Sequence, residues 1–276
     1  IKNFRQLKSP SAGHPELGEF EAIETTTGPL SQGLSNAVGF AMAEKKLSSI
    51  LGENTINHYT YVFAGDGCLM EGLSHEACSL AGHLKLNKLI VFFDDNSISI
   101  DGPIALSSSD DVQKRFTSYN WNIINIDGHN HNEISDAIHK AKKSDKPTLI
   151  CAKTKIGYGS PNKESKASSH GSPLGEDEIT LTRKNLNWNH DEFIIPDDLL
   201  TEWRSFANRN AKEKNDWINK NTDFLNSSKF NKFFNQELGS DLKKNIINFK
   251  TNYSKDETRY ATRKASEKSI ELLNNH

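Results

Sequence analysis

The stretch Tyr59-Thr-Tyr-Val-Phe-Ala-Gly65-Asp66-Gly67 decides the fold. It is a short, continuous apolar run that ends abruptly in a carboxylate between two glycines. A run that is apolar at nearly every position, not at alternate ones, fits a strand buried on both faces of a parallel sheet. Three further runs share this character, Leu89 to Phe93, Ile123 to Ile126 and Thr148 to Ala152, and the first run is taken as Tyr59 to Ala64. Helix-length segments lie between them. Glu71 to Lys85 carries Leu73, Ala77, Leu80, Ala81 and Leu84 at a period near 3.6, and Asn132 to Lys143 places Ile134, Ala137, Ile138 and Ala141 on one stripe. Alternating strands and helices predict an α/β fold, with a mostly parallel sheet flanked by helices and joined by right-handed crossovers.

Ligands of such sheets bind beyond the carboxyl ends of the strands, which is where Asp66 falls. Gly65 permits a sharp turn, and Gly67 lets the backbone approach a ligand closely. The Asp66 carboxylate is a hard oxygen donor suited to Mg²⁺ or Ca²⁺. A helix starting near Glu71 is expected to point its free N–H groups toward the same place, favouring an anion. The next strand ends in Asp94-Asp95-Asn96, and residues 68 to 95, 28 in all, separate Gly67 from Asn96. Consecutive strands are usually neighbours, so Asp66 and Asn96 are expected to meet at one edge of the sheet. Either motif alone reads as a turn. Together, both at strand ends, they predict a divalent metal with open positions for phosphate oxygens.

Bulk properties narrow the partners. With 276 residues the chain can bury a large core, and its net charge of -2 provides no basic field for nucleic acid and no polybasic arm for lipid. Apolar runs concentrate in residues 56 to 156, whereas residues 204 to 276 are rich in Lys, Asn, Asp and Ser. No run approaches the ~20 apolar residues that span a bilayer. Cys68, Cys78 and Cys151 have spacings that fit neither a zinc site nor a disulfide framework, and Cys68 reads as a buried, inert thiol. Gly33 to Lys46 is a helix rich in small residues (Gly33, Ser35, Ala37, Gly39, Ala41, Ala43), suited either to the core or to packing against a second copy.

Glu176 to Leu186 reads as a surface helix. Residues 191–258 read as a linker with polar helices around Leu199 to Trp217 and Phe224 to Phe234, docked through Trp203, Phe206, Trp217 and Phe224. Arg259 to Leu273 reads as the opening helix of another unit.

At the site the chain resembles a known family. Gly-Asp-Gly followed after fewer than 30 residues by Asn is the signature of thiamine-diphosphate enzymes. Glu24-Thr-Thr-Thr-Gly-Pro-Leu-Ser-Gln-Gly33, Gly65-Asp-Gly-Cys-Leu-Met-Glu-Gly72, Asp94-Asp-Asn-Ser-Ile-Ser-Ile-Asp-Gly102 and Ser169-His-Gly-Ser-Pro-Leu-Gly175 resemble transketolase blocks, in the same order, across residues 1 to about 190. The resemblance implies a thiamine-diphosphate-binding fold over residues 1–190, a linker at 191–258, and the start of a pyrimidine-binding domain at 259–276. It implies that Asp66, Asn96 and the main-chain carbonyl of Ile98 hold Mg²⁺, with Ca²⁺ or Mn²⁺ able to substitute. Gly67 would contact the diphosphate, and Gly28, Pro29 and Leu30 would line the cofactor.

By the same resemblance, His14 in Gly13-His-Pro-Glu16 contacts the sugar, and His170 lies near both diphosphate and substrate. Imidazole can donate to either and can move protons near neutral pH. Arg263, in Thr262-Arg-Lys-Ala-Ser266, would bind the sugar phosphate through its forked guanidinium. Glu71 is either a member of a carboxylate network across a dimer interface or an ordinary first-turn glutamate. His58, His75, His83, His129, His131, His139, His190 and His276 read as ordinary residues. The loop Pro103-Ile-Ala-Leu-Ser-Ser-Ser109 departs from the family by lacking an aromatic stretch, and Asp110-Asp111 and Arg115-Phe116 resume the pattern.

The expected activity is transfer of a two-carbon ketol unit from a ketose phosphate to an aldose phosphate in the pentose phosphate pathway, by a cytoplasmic homodimer with active sites at the subunit interface. Dihydroxyacetone synthase, a related thiamine-diphosphate enzyme, or a non-catalytic cofactor-binding fragment are the alternatives. The resemblance puts the glutamate and aromatic cradle for the pyrimidine ring in a second domain. The chain is therefore expected to be a piece of a longer enzyme, inactive by itself.

Overall fold

In a computed structural model, residues 2–228, 230, 234, 238–256 and 258–274 are described. The chain forms two compact units, Ile1–Leu200 and Thr201–His276. The first is built on a four-stranded parallel sheet of β1 (Thr60–Gly65), β2 (Leu89–Asp95), β5 (Asn122–Asp127) and β6 (Thr148–Lys153), ordered β1-β2-β6-β5. The predicted strands lie within one or two residues of these bounds. A two-stranded antiparallel ribbon, β3 (Ile98–Ser99) and β4 (Gly102–Pro103), follows β2 directly and was not foreseen, because two-residue strands leave no periodicity to read.

Continuous apolarity marks the central strands correctly. In β2, residues Leu89 to Phe93 are all buried, as are Thr148 to Ala152 in β6. Leu89, Val91 and Phe93 face one core with Leu149 and Cys151, beneath α1 (Gln32–Leu51) and α3 (Gly72–His83). Ile90, Phe92 and Ile150 face the other, where Ala137 and Ala141 of α5 (His131–Ala141) close the layer. β1 departs from the expectation of burial on both faces. It is an edge strand, and its Tyr61 and Phe63 are 44% and 80% exposed. With Phe40 and Leu47 of α1 they line an open groove of about 1270 Å³.

The helix read from Glu71 is α3, and a separate short helix not read from the sequence, α2 (Asp66–Met70), precedes it, because Glu71 is extended at φ −66°, ψ 140°. One helix reading is corrected. The buried stripe of α3 is Ser74, Cys78, Ala81 and Gly82, while Leu73 and Leu80 stay exposed. Close packing against Trp121 and Tyr119 selects small residues there, since Trp121 Nε1 donates to the Cys78 carbonyl at 2.8 Å. Helix α1 buries Leu34, Ala37, Val38 and Ala41, but Gly39 stands in open space, so only part of its small-residue content serves this core. Cys68 is half-buried, whereas burial pushes the Cys78 and Cys151 thiols up to about 12.

After β6 come the one-turn helix α6 (Ser168–Gly171) and α7 (Glu176–Asn185). Then follow Asp197–Lys220, Thr222–Leu225, Ser240–Lys255 and Thr262–Asn274. The helix Ser240–Lys255, read from sequence as linker, hides its sparse apolar residues among lysines and asparagines, and its Phe249 packs on Tyr253 at 5.1 Å between ring centroids. The helix expected over Phe224 to Phe234 falls partly outside the described residues. Among the described residues no helix is long and apolar enough to cross a membrane.

Candidate metal and diphosphate site

Parallel pairing of β1 and β2 sets Gly65 beside Asp94, which brings Asp66 and the Asp94-Asp95-Asn96 turn to one edge of the sheet. Asp66 opens α2, and α2 packs against both β2 and β3. The carboxylate is unusual in two ways. Its Oδ2 is buried with no hydrogen-bond partner among the described residues. Burial, and then the charges of Asp95 and Asp94, push its pKa up to about 6, against a smaller lowering by Lys153. A desolvated oxygen crowded by like charge is stabilised by a cation.

Asn96 is fixed in an Asx turn. Its Nδ2 donates to Asp94 Oδ2 at 3.2 Å, and its Oδ1 accepts from the Ile98 amide at 2.9 Å, which leaves a second lone pair on Oδ1. Ile98 pairs with Pro103 across the ribbon. Ile104 N donates to the Ser97 carbonyl at 3.0 Å, so the Ile98–Pro103 position is the non-hydrogen-bonded one in the ladder. The Ile98 carbonyl is therefore turned away from the partner strand, and Pro103 has no N–H to offer it. The donors at hand are a carboxylate, an amide oxygen and a main-chain carbonyl. No cluster of three His, Cys, Asp or Glu side chains able to hold a metal occurs among the described residues. Such a donor set fits a hard divalent ion that completes its shell with ligand oxygens and water.

The residues expected to line the cofactor converge on the same edge. Gly28 has φ +135°, and a Cβ there would meet the His14 ring at 2.6 Å, so His14 and Gly28 are in contact. A Cβ on Gly67 would meet Leu30 at 3.2 Å, which places the Gly28-Pro29-Leu30 segment over the Gly67 turn. His170 is exposed on α6, and its neighbour Gly171 lies beside Ile100 of the loop after Ile98. The structure thus gathers Asp66, Gly67, Asn96, Ile98, Gly28, Pro29, Leu30 and His14 around one strand edge, and brings Gly171, next to His170, beside Ile100. Glu71 is exposed at the α2–α3 junction, and Arg263 is exposed on the helix Thr262–Asn274 of the second unit.

Several supporting residues escaped the sequence reading. Lys153 Nζ bonds Asp95 Oδ1 at 3.1 Å and Ser97 Oγ at 2.9 Å, and Thr154 Oγ1 bonds Asp94 Oδ1. These ties fix the turn that carries Asn96. Their position just past β6, at the carboxyl end of the sheet, was the available signal. His75 and His129, read as ordinary, both have specific partners. His75 contacts Arg115 and Tyr119, while His129 stacks on Tyr158 at 4.1 Å and accepts from the Lys155 amide at 3.1 Å.

Residues 1–244 match the family model described as transketolase, thiamine diphosphate binding domain. The transketolase of Buchnera aphidicola subsp. Schizaphis graminum is 48% identical over 282 aligned residues, covering 98% of this chain and 42% of that relative. The crystal structure of transketolase from Campylobacter jejuni subsp. jejuni superposes with a TM-score of 0.80 at 41% identity, covering 88% of this chain and 38% of that one. A Pichia stipitis transketolase solved in complex with sedoheptulose 7-phosphate gives a TM-score of 0.77 at 38% identity, covering 89% and 36%. The fold is that of a thiamine-diphosphate-binding domain. The chain belongs to the transketolase family, and it spans 42% of the length of the Buchnera relative.

Proposed function

We propose that the chain is the diphosphate- and metal-holding part of a transketolase, which moves a two-carbon ketol unit from a ketose phosphate to an aldose phosphate. The observation that carries this reading is the buried, unpartnered Asp66 oxygen beside the Asn96 turn and the outward-turned Ile98 carbonyl. Asp66, Asn96 and Ile98 would hold Mg²⁺, for which Ca²⁺ or Mn²⁺ can stand in. The Gly67 backbone would contact the diphosphate, and Gly28, Pro29 and Leu30 would line the cofactor. When bound, thiamine diphosphate supplies the carbon nucleophile and electron sink that ketol chemistry requires.

The chain's own residues bind and orient. His170 donates to the diphosphate and to the sugar, and His14, seated against Gly28, donates to a sugar hydroxyl. Arg263 takes the sugar phosphate. The Pichia relative solved with sedoheptulose 7-phosphate supports a phosphorylated ketose as substrate. Residues 191–258 act as a linker, and 259–276 open the pyrimidine-binding domain. The working protein is a cytoplasmic homodimer of the pentose phosphate pathway, with Glu71 in a carboxylate network at the interface.

Calorimetry of thiamine diphosphate with Mg²⁺ tests the site. Asp66→Ala is expected to weaken binding by at least ~100-fold, since it removes the only carboxylate of the donor set. Equal affinities for the two proteins reject the assignment.

A further inference from the structure

A second group of side chains converges on the other end of α2. The Leu69 carbonyl, on a fully buried residue, accepts from Arg115 Nη2 at 2.8 Å and from Ser74 Oγ at 2.9 Å. Arg115 Nη1 reaches His75 Nε2 at 2.9 Å and Asp110 Oδ2 at 3.2 Å. His75 Nδ1 lies 3.1 Å from the Tyr119 hydroxyl. A guanidinium has donors only, so His75 Nε2 must accept, and the ring proton sits on Nδ1 facing Tyr119. Arg115 belongs to α4 (Val112–Ser118), His75 and Ser74 to α3, and Leu69 to α2. One side chain therefore ties three helices at a single point.

The cost of this arrangement argues for more than packing. The Arg115 side chain is only 12% exposed, its one carboxylate partner is 58% exposed, and its Nε is buried without a partner among the described residues. A buried cation with incomplete partners is expensive, and an aliphatic side chain would fill the space at lower cost. The guanidinium does what an aliphatic side chain cannot: it fixes the position of the Leu69 carbonyl. Leu69 lies one turn from Asp66 in a five-residue helix. A helical turn is stiff, so displacement at Leu69 is passed to Asp66 and Gly67 at the other end.

We propose that Arg115 is a positioning residue for the metal and diphosphate turn, and that His75 keeps its guanidinium aimed at α2. The proposal rests on the site reading given above. It is tested in the complete enzyme by titrating thiamine diphosphate calorimetrically at saturating Mg²⁺, well below the unfolding midpoint. Arg115→Gln is expected to weaken binding by ~10–100-fold, as loss of an outer partner of a metal site does, and Arg115→Lys by less. His75→Leu removes the acceptor and weakens binding in the same direction. His75→Gln keeps an oxygen for the guanidinium and retains affinity.

Asp66→Ala serves as the control. If it binds weakly while Arg115→Gln and His75→Leu bind like wild type, the positioning role is wrong and the site stands, even if those two variants melt at lower temperature. If Asp66→Ala itself binds normally, the site reading fails and takes the positioning role with it. Should Arg115→Gln not fold, the contrast between His75→Leu and His75→Gln decides.

Discussion

Asp66, the proposed metal ligand, also holds a proton more tightly than an ordinary carboxylate does. Its pKa rises from the ordinary 3.8 to about 6 in the folded chain, chiefly through burial. Between those values the folded state keeps a proton that the unfolded state releases. The metal-free protein is therefore favoured by this group at pH below 4, and loses that favour as pH rises through about 6. The effect is on the order of 1 kcal/mol once solvent screening of a half-exposed group is allowed for. Asp66→Asn is thus expected to melt above metal-free wild type at pH 7, and the gap should close near pH 4. A constant gap across that range would show that the carboxylate does not carry the effect. Ser31 offers a second residue-scale test. It is 1% exposed, sits at φ +66°, and its hydroxyl has no hydrogen-bond partner among the described residues. Left-handed backbone and an orphaned hydroxyl each cost about 1 kcal/mol or more. Ser31→Gly removes both, against a smaller gain in unfolded-state entropy. A stabilisation of ~1 kcal/mol in denaturant unfolding is expected, larger than for Ser31→Ala, which relieves the hydroxyl alone.

Among the elements, the loop after β6 is held by one buried carboxylate. Glu178, in the first turn of α7, accepts from Ser160 Oγ, from the Asn162 amide at 2.8 Å and from Asn162 Nδ2 at 2.9 Å. These bonds, Ser160 first, pull its pKa down from 4.5 to about 2. The sign is opposite to that of Asp66: the stability Glu178 contributes is present above pH 4.5 and is lost as pH falls toward 2. Glu178→Gln should lack this slope in acid unfolding, and curves parallel to wild type would contradict the assignment. What the sequence reveals at this scale follows range of interaction. The strand ends at Asp66 and Asn96 were readable because continuous apolar runs such as Leu89 to Phe93 announce buried strands locally. The short helix α2 ahead of Glu71 was not, because its end depends on Ser74 bonding the Leu69 and Glu71 carbonyls. Nor was the role of His75, whose partner Arg115 is 40 residues away. The exposure of Phe63 was hidden for a related reason: an edge strand and a central strand have the same composition when both are apolar.

For the whole molecule, the site's geometry bears on what the chain can do by itself. Its gathered residues all lie in the unit Ile1–Leu200, and the chain spans 42% of the length of the Buchnera relative. Within that unit the metal end of the site is sheltered, with a buried Asp66 oxygen, while the surface toward which the cofactor's far end would extend is open. Leu30 is 54% exposed, and His14 and His170 are both exposed. Hydrogen bonds and charge interactions in open water are worth little, and ketol transfer needs water kept from the reacting carbon. The purified 276-residue chain is therefore expected to bind thiamine diphosphate with Mg²⁺ more weakly than the complete enzyme does, and to retain the dependence on Asp66. It should show no ketol transfer when supplied with a ketose phosphate donor and an aldose phosphate acceptor. Calorimetry measures the first and a coupled assay of product aldose phosphate the second. Turnover by this chain alone would mean that the open surface is closed by something within these residues, and would overturn the reading of the site as one half of a larger enclosure.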